Sequence, residues 1–412
     1  MPATTFVFFG RGWGHGVGLA QYGALGYAQH GSTYDRILAH YYPGTELGEA
    51  PVARVRVLLA EGRRQVTVAS EVPFTLKTTT GARTLQPGTY AVPGIADVQL
   101  PIVFAPGRGP LVLDGHPYRG SLRVTQSGST VQVVNIVGLD AYLYGVVASE
   151  MDSDWPAEAL KAQAVAARSY AMVERRGGEF DLYADTRSQV YGGIDAETAT
   201  ARAAVDATRR QVLYYDGKVA QTFFSASSGG RTADITDIWL DSKPIPYLVS
   251  VPDPYDTVSP YHAWGPVAVH ATVAAKALEV SGLRGLTVRR APSQRVRELV
   301  LGTAAGRVTV AGNVFRRALG LRSTWFRVGV LQLERVAAPV AAGTTVRLTG
   351  RVLGLARPEL EQRVPGGDWE SVAAVRRSST GTFAMVVRPT ETTDYRLRNG
   401  TATSESIRVT VA

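Results

Sequence analysis

Apolar and polar residues alternate over long stretches of this chain, and that alternation predicts strands before anything else. FVFFG (6–10) reads as a short strand. VARVRVLLA (52–60) and QVTVAS (65–70) put successive side chains on opposite faces. SLRVTQSGSTVQVVNIV (121–137) reads as a hairpin turning at Ser127-Gly128, and Pro87-Gly88, Pro93-Gly94 and Pro106-Gly107 punctuate the strands before it. Helical spacing takes over in separate places. A small-residue helix is expected over about Leu19–His30. A second follows, with Ser32 and Asp35 as a capping box and Pro43-Gly44 as its stop. The main helix is AEALKAQAVAARSYAMVERR (157–176), with Pro156 as its N1 proline and Gly177-Gly178 at its end. Another runs through about Ala196–Thr208, and QVLYYDG with KVAQTFFSAS predicts a hairpin around Asp216-Gly217. From 281 to 330 the pattern is short strands plus a helix near Val314–Leu319. After Val330 only alternating segments remain, which predicts an all-β sandwich of immunoglobulin-like type. The fold class expected is α+β: twisted sheets with short helices, then the sandwich.

Composition narrows the function classes. At 412 residues the chain has room for two or three domains, and 45% hydrophobic with 19% charged residues places it among folded globular proteins. The net charge of +9 favours a polyanionic partner, but the arginines come in scattered pairs such as Arg289-Arg290 and Arg316-Arg317. No nucleic-acid site is expected. The absence of cysteine removes disulfides, zinc knuckles and thiol nucleophiles. No apolar run approaches ~20 residues, so no transmembrane segment is expected. MPATTFVFFG lacks the features of a signal peptide, so an exported protein would have lost its signal from this sequence.

Candidate chemistry gathers around 137–170. Glu150 follows an apolar stretch and precedes Pro156 by six residues, on the expected connection into the main helix. Val146, Val147, Ala148 and Met151 would desolvate its carboxyl and raise its pKa, as a general acid near neutral pH requires. The residues alone favour an exposed loop glutamate instead. Asp152 and Asp154 read as helix N-terminal residues. Lys161, Gln163 and Arg168 project from an alanine-rich helix that lets another element or a ligand approach closely. His15 sits in GRGWGHGVG, whose glycines at 10, 12, 14, 16 and 18 do not make a dinucleotide fingerprint. No GxSxG, HExxH or P-loop occurs.

VGLDAYLYGVVASEMDSDWPAEALKAQAVAARSY (137–170) resembles the signature of the SpoIID/LytB family, the stage II sporulation protein D and amidase-enhancer relatives. TRSQVYGG (186–193), FFSASSGGRT (223–232), GRGWGHGVGLAQYGA (10–24) and VAGNVFRRALGLRSTWF (310–326) resemble its other blocks. The resemblance implies a SpoIID-like domain over 1–330, divided as 1–50, 51–137 and 138–330, with the sandwich at 331–412 as an accessory domain. In many relatives the GHG block closes the domain. Here it opens the chain, an arrangement that looks circularly permuted. The implied activity is lytic transglycosylation of peptidoglycan, cutting between MurNAc and GlcNAc on strands denuded of stem peptides and leaving 1,6-anhydro-MurNAc ends. A non-catalytic wall-binding or amidase-enhancing role is the alternative. Glu150 maps onto the catalytic glutamate. Arg168, Gln189, Tyr191, Ser227, Lys161, Gln163, His15 and Gln21 fall at positions implied to contact substrate. Some relatives bind zinc where this chain has Tyr183, Arg187 and Ser188, none a good zinc ligand, so neither metal nor cofactor is expected. Peptidoglycan strands are the implied partner, other wall hydrolases and anionic wall polymers are further candidates, and the implied location is extracellular or wall-associated. Residues 10–24 are expected beside the Glu150 helix.

Overall fold

A computed structural model describes residues 2–51, 53–95 and 98–412. The architecture is mixed α+β, with helices interspersed among several open sheets. It comprises two compact units. The first is built from Met1–Val17, Ala226–Pro244 and Pro252–Ala412, and the second from Gly18–Ser225 with Ile245–Val251.

The second unit carries the predicted strands of 51–137. Its seven-stranded sheet runs Leu182–Tyr183, Arg54–Arg63, Thr130–Gly138, Ser121–Ser127, Ile102–Ala105, Phe74–Thr78, Gly81–Leu85. Val52, the first residue of one expected strand, lies outside the described residues. The hairpin forms as predicted: Ser127 pairs with Thr130, and Gly128 turns the chain at φ 61°. Alternation buries Leu122 and Val124 on one strand and Val131 and Val133 on the other, in a core shared with Phe74, Phe104 and Leu111. Val133, Val134 and Asn135 are all buried, so this strand is covered on both faces where it approaches the helices.

Among its described residues this unit also holds the α-helices α1 (Gln21–Gln29), α2 (Tyr34–Tyr41), α3 (Leu139–Glu150), α4 (Ala157–Val173) and α5 (Ala199–Ala207). The N-cap of α2 is Thr33, one residue beyond the predicted Ser32. Helix α4 is buried nearly all round, from Ala162 through Ala171 without interruption. Its alanines give α1, α2, α3 and α5 room to pack against it, and protein takes the close approach that a ligand was also a candidate for. It ends at Val173, ahead of the predicted glycine stop.

In the first unit a five-stranded sheet runs Trp264–His270, Ala3–Gly10, Phe326–Leu333, Val346–Leu353, Thr382–Val387. Residue 330 lies inside one of these strands, which pairs with Ala3–Gly10 on one side and Val346–Leu353 on the other. The strands predicted after Val330 form. Leu348, Phe383, Leu360, Tyr395 and Ile407 share one apolar cluster.

Candidate active site around Glu150

Glu150 is not on a connection. The apolar stretch before it folds as α3, and Glu150 is its last helical residue, with Met151 turning to extended backbone. Gly138 and Leu139 open the helix directly from the hairpin, where the Leu139 N–H donates to the Ala53 carbonyl. The sequence hides this helix because its apolar residues cover every face. Such a run shows no helical stripe.

The glutamate is half-buried, above buried Val146 and Val147 one turn back. Its Oε1 accepts the Val190 N–H at 2.9 Å, and Oε2 accepts Gln21 Nε2 at a looser 3.4 Å. Desolvation pushes its pKa above the ordinary carboxyl value and outweighs the two hydrogen bonds, which pull it down.

Gly145 brings the Val190 donor into reach. A Cβ there would stand 2.7 Å from the Gly193 carbonyl and 3.1 Å from the Tyr191 ring, so residues 191–193 run directly against α3. Tyr191 is packed inside this contact: its ring lies 4.8 Å from that of Tyr142, and its hydroxyl donates to Asn135 Oδ1. Gln189 is fully buried, accepting from the Tyr142 hydroxyl and donating to the Ala167 carbonyl. Gln189 and Tyr191 thus clamp the segment whose middle residue holds Glu150.

Gln21 reaches the glutamate from the first turn of α1. Just before that helix, Leu19 and Ala20 pair with Phe224 and Ser225 in a parallel bridge. Segment 18–24 therefore belongs to the Glu150 unit, as expected, whereas 10–17 belongs to the other. Tyr22, next to Gln21, lies 4.9 Å ring to ring from Trp155 of the loop after Glu150.

The α4 candidates separate. Arg168 pairs with Asp140 at 2.8 Å and donates to the carbonyls of Gln211 and Val205. Asp140 is in the first turn of α3 and Glu150 ends it, about 15 Å away at 1.5 Å per residue. Arg168 thus ties α3 to α4 at the far end of the helix from Glu150, and it lines a separate cavity of about 600 Å³ with Tyr144 and Arg210. Lys161 pairs with Glu158, whose other oxygen accepts the first N–H of α2. Gln163 is completely buried, and neither of its amide atoms has a hydrogen-bond partner among the described residues. Asp152 and Asp154 are exposed, with Asp152 accepting the Asp154 N–H in a turn.

His15 and Ser227 lie in the first unit. Gly12, Gly14 and Gly16 all have positive φ, and the loop folds so that His15 Nδ1 accepts the Val17 N–H. Ser227 spends its hydroxyl proton on Asp256, which also accepts the Ser228 and Gly229 N–H groups and touches His262 Nδ1. Ser227 and Asp256 are both buried, and the cluster ties residues 227–229 to the 254–258 turn. The Arg187 guanidinium stacks 3.7 Å from the Tyr183 ring centre, and the Tyr183 N–H donates to Ser188 Oγ. Among the described residues no cluster of His, Asp and Glu suits a metal. None of their helices is long and apolar enough to cross a membrane.

With this geometry in place, comparison with known proteins defines the class. Residues 127–215, which hold α3, α4 and the 189–193 segment, match the family model of the stage II sporulation protein, SpoIID. Over that segment the chain is thus similar to the SpoIID/LytB family. Among relatives, it is 41% identical over 154 residues to an uncharacterised protein of Brachyspira hyodysenteriae, covering 36% of this chain and 41% of that one. It is 39% identical over 114 residues to the amidase enhancer of Bacillus subtilis, covering 28% of this chain and 15% of the relative. It is 30% identical over 216 residues to stage II sporulation protein D of Bacillus subtilis, covering 47% and 61%. The chain thus spans less than two thirds of each of these relatives.

Proposed function

We propose that the chain acts on bacterial cell-wall peptidoglycan as a lytic transglycosylase, with Glu150 as its acid and then its base. The observation that carries this reading is the state of Glu150: a half-buried carboxyl whose pKa is raised by desolvation, held by two N–H donors. An acid of that kind stays protonated closer to neutral pH than an exposed glutamate. Oε1 is committed to a backbone amide, so the proton to be transferred sits on Oε2, beside the looser Gln21 contact.

The reaction needs one carboxyl group. Glu150 gives its proton to the glycosidic oxygen as the C1–O bond breaks. The carboxylate then takes the proton of the C6 hydroxyl on the muramic sugar while that oxygen bonds to C1. The products are a shortened strand with a 1,6-anhydro end and a released strand, and no water is consumed. A hydrolase of the usual kind would use a second carboxylate, and the acids nearest in sequence, Asp152 and Asp154, face solvent. Half-buried Tyr22 and Trp155 offer rings to a sugar face beside Glu150.

A relative named as an amidase enhancer favours a second reading, in which this chain binds wall glycan without cutting it. Incubation with denuded glycan strands separates the two. New anhydro-muramic ends from wild type, and none from Glu150→Gln, support the enzyme. Co-sedimentation with wall material but no new ends from wild type supports the binder.

A further inference from the structure

We infer that the first unit carries a separate binding pocket for an anionic sugar, a pyranose bearing a carboxylate or a phosphate, formed by Arg11, Arg290, Arg327, Trp264 and Trp325. This inference does not rest on Glu150, which belongs to the other unit.

The pocket stands at one end of the five-stranded sheet, where Gly10 is in register with Trp264 on one side and Phe326 on the other. Gly10 is required there. A Cβ would come within 2.2 Å of the Trp264 indole, so the ring lies flat across the bare backbone. The cavity beside it has a volume of about 620 Å³, within the range of ligand sites.

Its lining is unusual in charge. Three guanidiniums border it, and none of its lining residues is acidic. Each guanidinium is set in place by groups that do not neutralise it. Arg290 donates to the carbonyls of Gln294 and Phe326 at 2.8 and 2.7 Å. Arg327 donates to the Gly354 carbonyl and lies 4.0 Å over the Phe9 ring. Arg11 lies 5.7 Å over the Trp325 ring. Desolvation lowers the Arg290 pKa with no carboxylate to oppose it, as expected of a guanidinium held ready for an anion.

The wall of the cavity also holds an unsatisfied polar group. Trp264 is 9% exposed, and its indole N–H is buried with no hydrogen-bond partner among the described residues. A buried donor without an acceptor is costly and rare. Guanidinium forks match the two oxygens of a carboxylate or phosphate, and indole rings suit the apolar face of a sugar. A free inorganic anion would leave the rings unused, and a neutral sugar would leave the arginines unused.

The test titrates the full chain with α-D-glucose 1-phosphate, N-acetylmuramic acid and neutral N-acetylglucosamine, followed by calorimetry and tryptophan emission. Saturable binding of one or both acidic sugars is expected, at least about tenfold tighter than that of the neutral sugar. Preference for the phosphate assigns the site to a phosphate-bearing wall polymer, and preference for the muramic acid assigns it to the lactyl carboxylate. Arg290→Gln with Arg327→Gln should weaken binding at least about tenfold at an unchanged melting temperature. Because a double change can unfold a site, exposed Arg11→Gln serves as the single variant and should weaken it by severalfold. Glu150→Gln should bind like wild type. No saturable binding of either acidic sugar up to about 10 mM, equal affinity for the neutral sugar, or full affinity in all the arginine variants would overturn the proposal.

Discussion

Glu150 is shaped by opposing forces, and each can be removed separately. Burial raises its pKa, while the Val190 amide and Gln21 lower it. A carboxyl with a raised folded pKa holds its proton more tightly folded than unfolded. Its favourable contribution is therefore present below the unfolded value and is lost as pH climbs through the folded pKa. Glu150→Gln carries no such group. Its melting temperature should gain on wild type as pH rises above the ordinary value of 4.5, and should match wild type below it. Flat parallel melting curves across that range would mean that Glu150 is effectively solvated. The same change should cut turnover at least about 100-fold, the scale of losing a general acid. Gln21→Ala should act more gently. It removes a donor to the charged form, so the basic limb of kcat/KM should move to higher pH, with peak activity within about tenfold of wild type. As a candidate, Glu150 was legible only through the family resemblance. Its Val190 donor was not, because a backbone N–H has no residue type to read.

Helix packing decides where the Glu150 carboxyl sits. Gly145→Ala places a methyl group against the Gly193 carbonyl and the Tyr191 ring. It should destabilise the fold by about 1–3 kcal/mol in urea titration and lower activity by displacing the Val190 N–H. Loss of activity without loss of stability would point to a direct substrate role for this face instead. Arg168→Leu removes the closer partner of Asp140 at the other end of α3 and leaves it the looser Arg209 contact at 3.7 Å. It should cost roughly 3 kcal/mol, the low end for a buried pair because Asp140 is partly exposed. KM should stay unchanged in the fraction that folds; a raised KM would return Arg168 to a substrate-binding role. Strands, hairpins and α4 were legible because their periodicity or propensity is strong. The helix at 139–150 was not, since Ala141, Tyr144 and Ala148 on its half-buried side leave LDAYLYGVVASE without a polar stripe.

At the scale of the whole molecule, two sequence blocks serve both units. GRGWGHGVGLAQYGA and FFSASSGGRT meet within the first unit, at Trp13 and Ser227, and within the second, at Leu19–Ala20 and Phe224–Ser225. A linear reading shows that such blocks exist but not that each is divided between two compact bodies, because that division depends on long-range contacts. The net charge of +9 belongs to this scale as well. Retention on isolated cell walls should fall severalfold from about 0.1 M to about 1 M salt, as the Debye length shortens from roughly 10 to 3 Å; salt-independent retention would exclude an electrostatic share. The central claim is that one carboxyl group works without water. Its most direct test is digestion of denuded glycan in water labelled with heavy oxygen, followed by mass spectrometry of the new ends. Transglycosylation by Glu150 leaves anhydro-muramic ends carrying no label, absent with Glu150→Gln. Labelled reducing ends would show hydrolysis and contradict it.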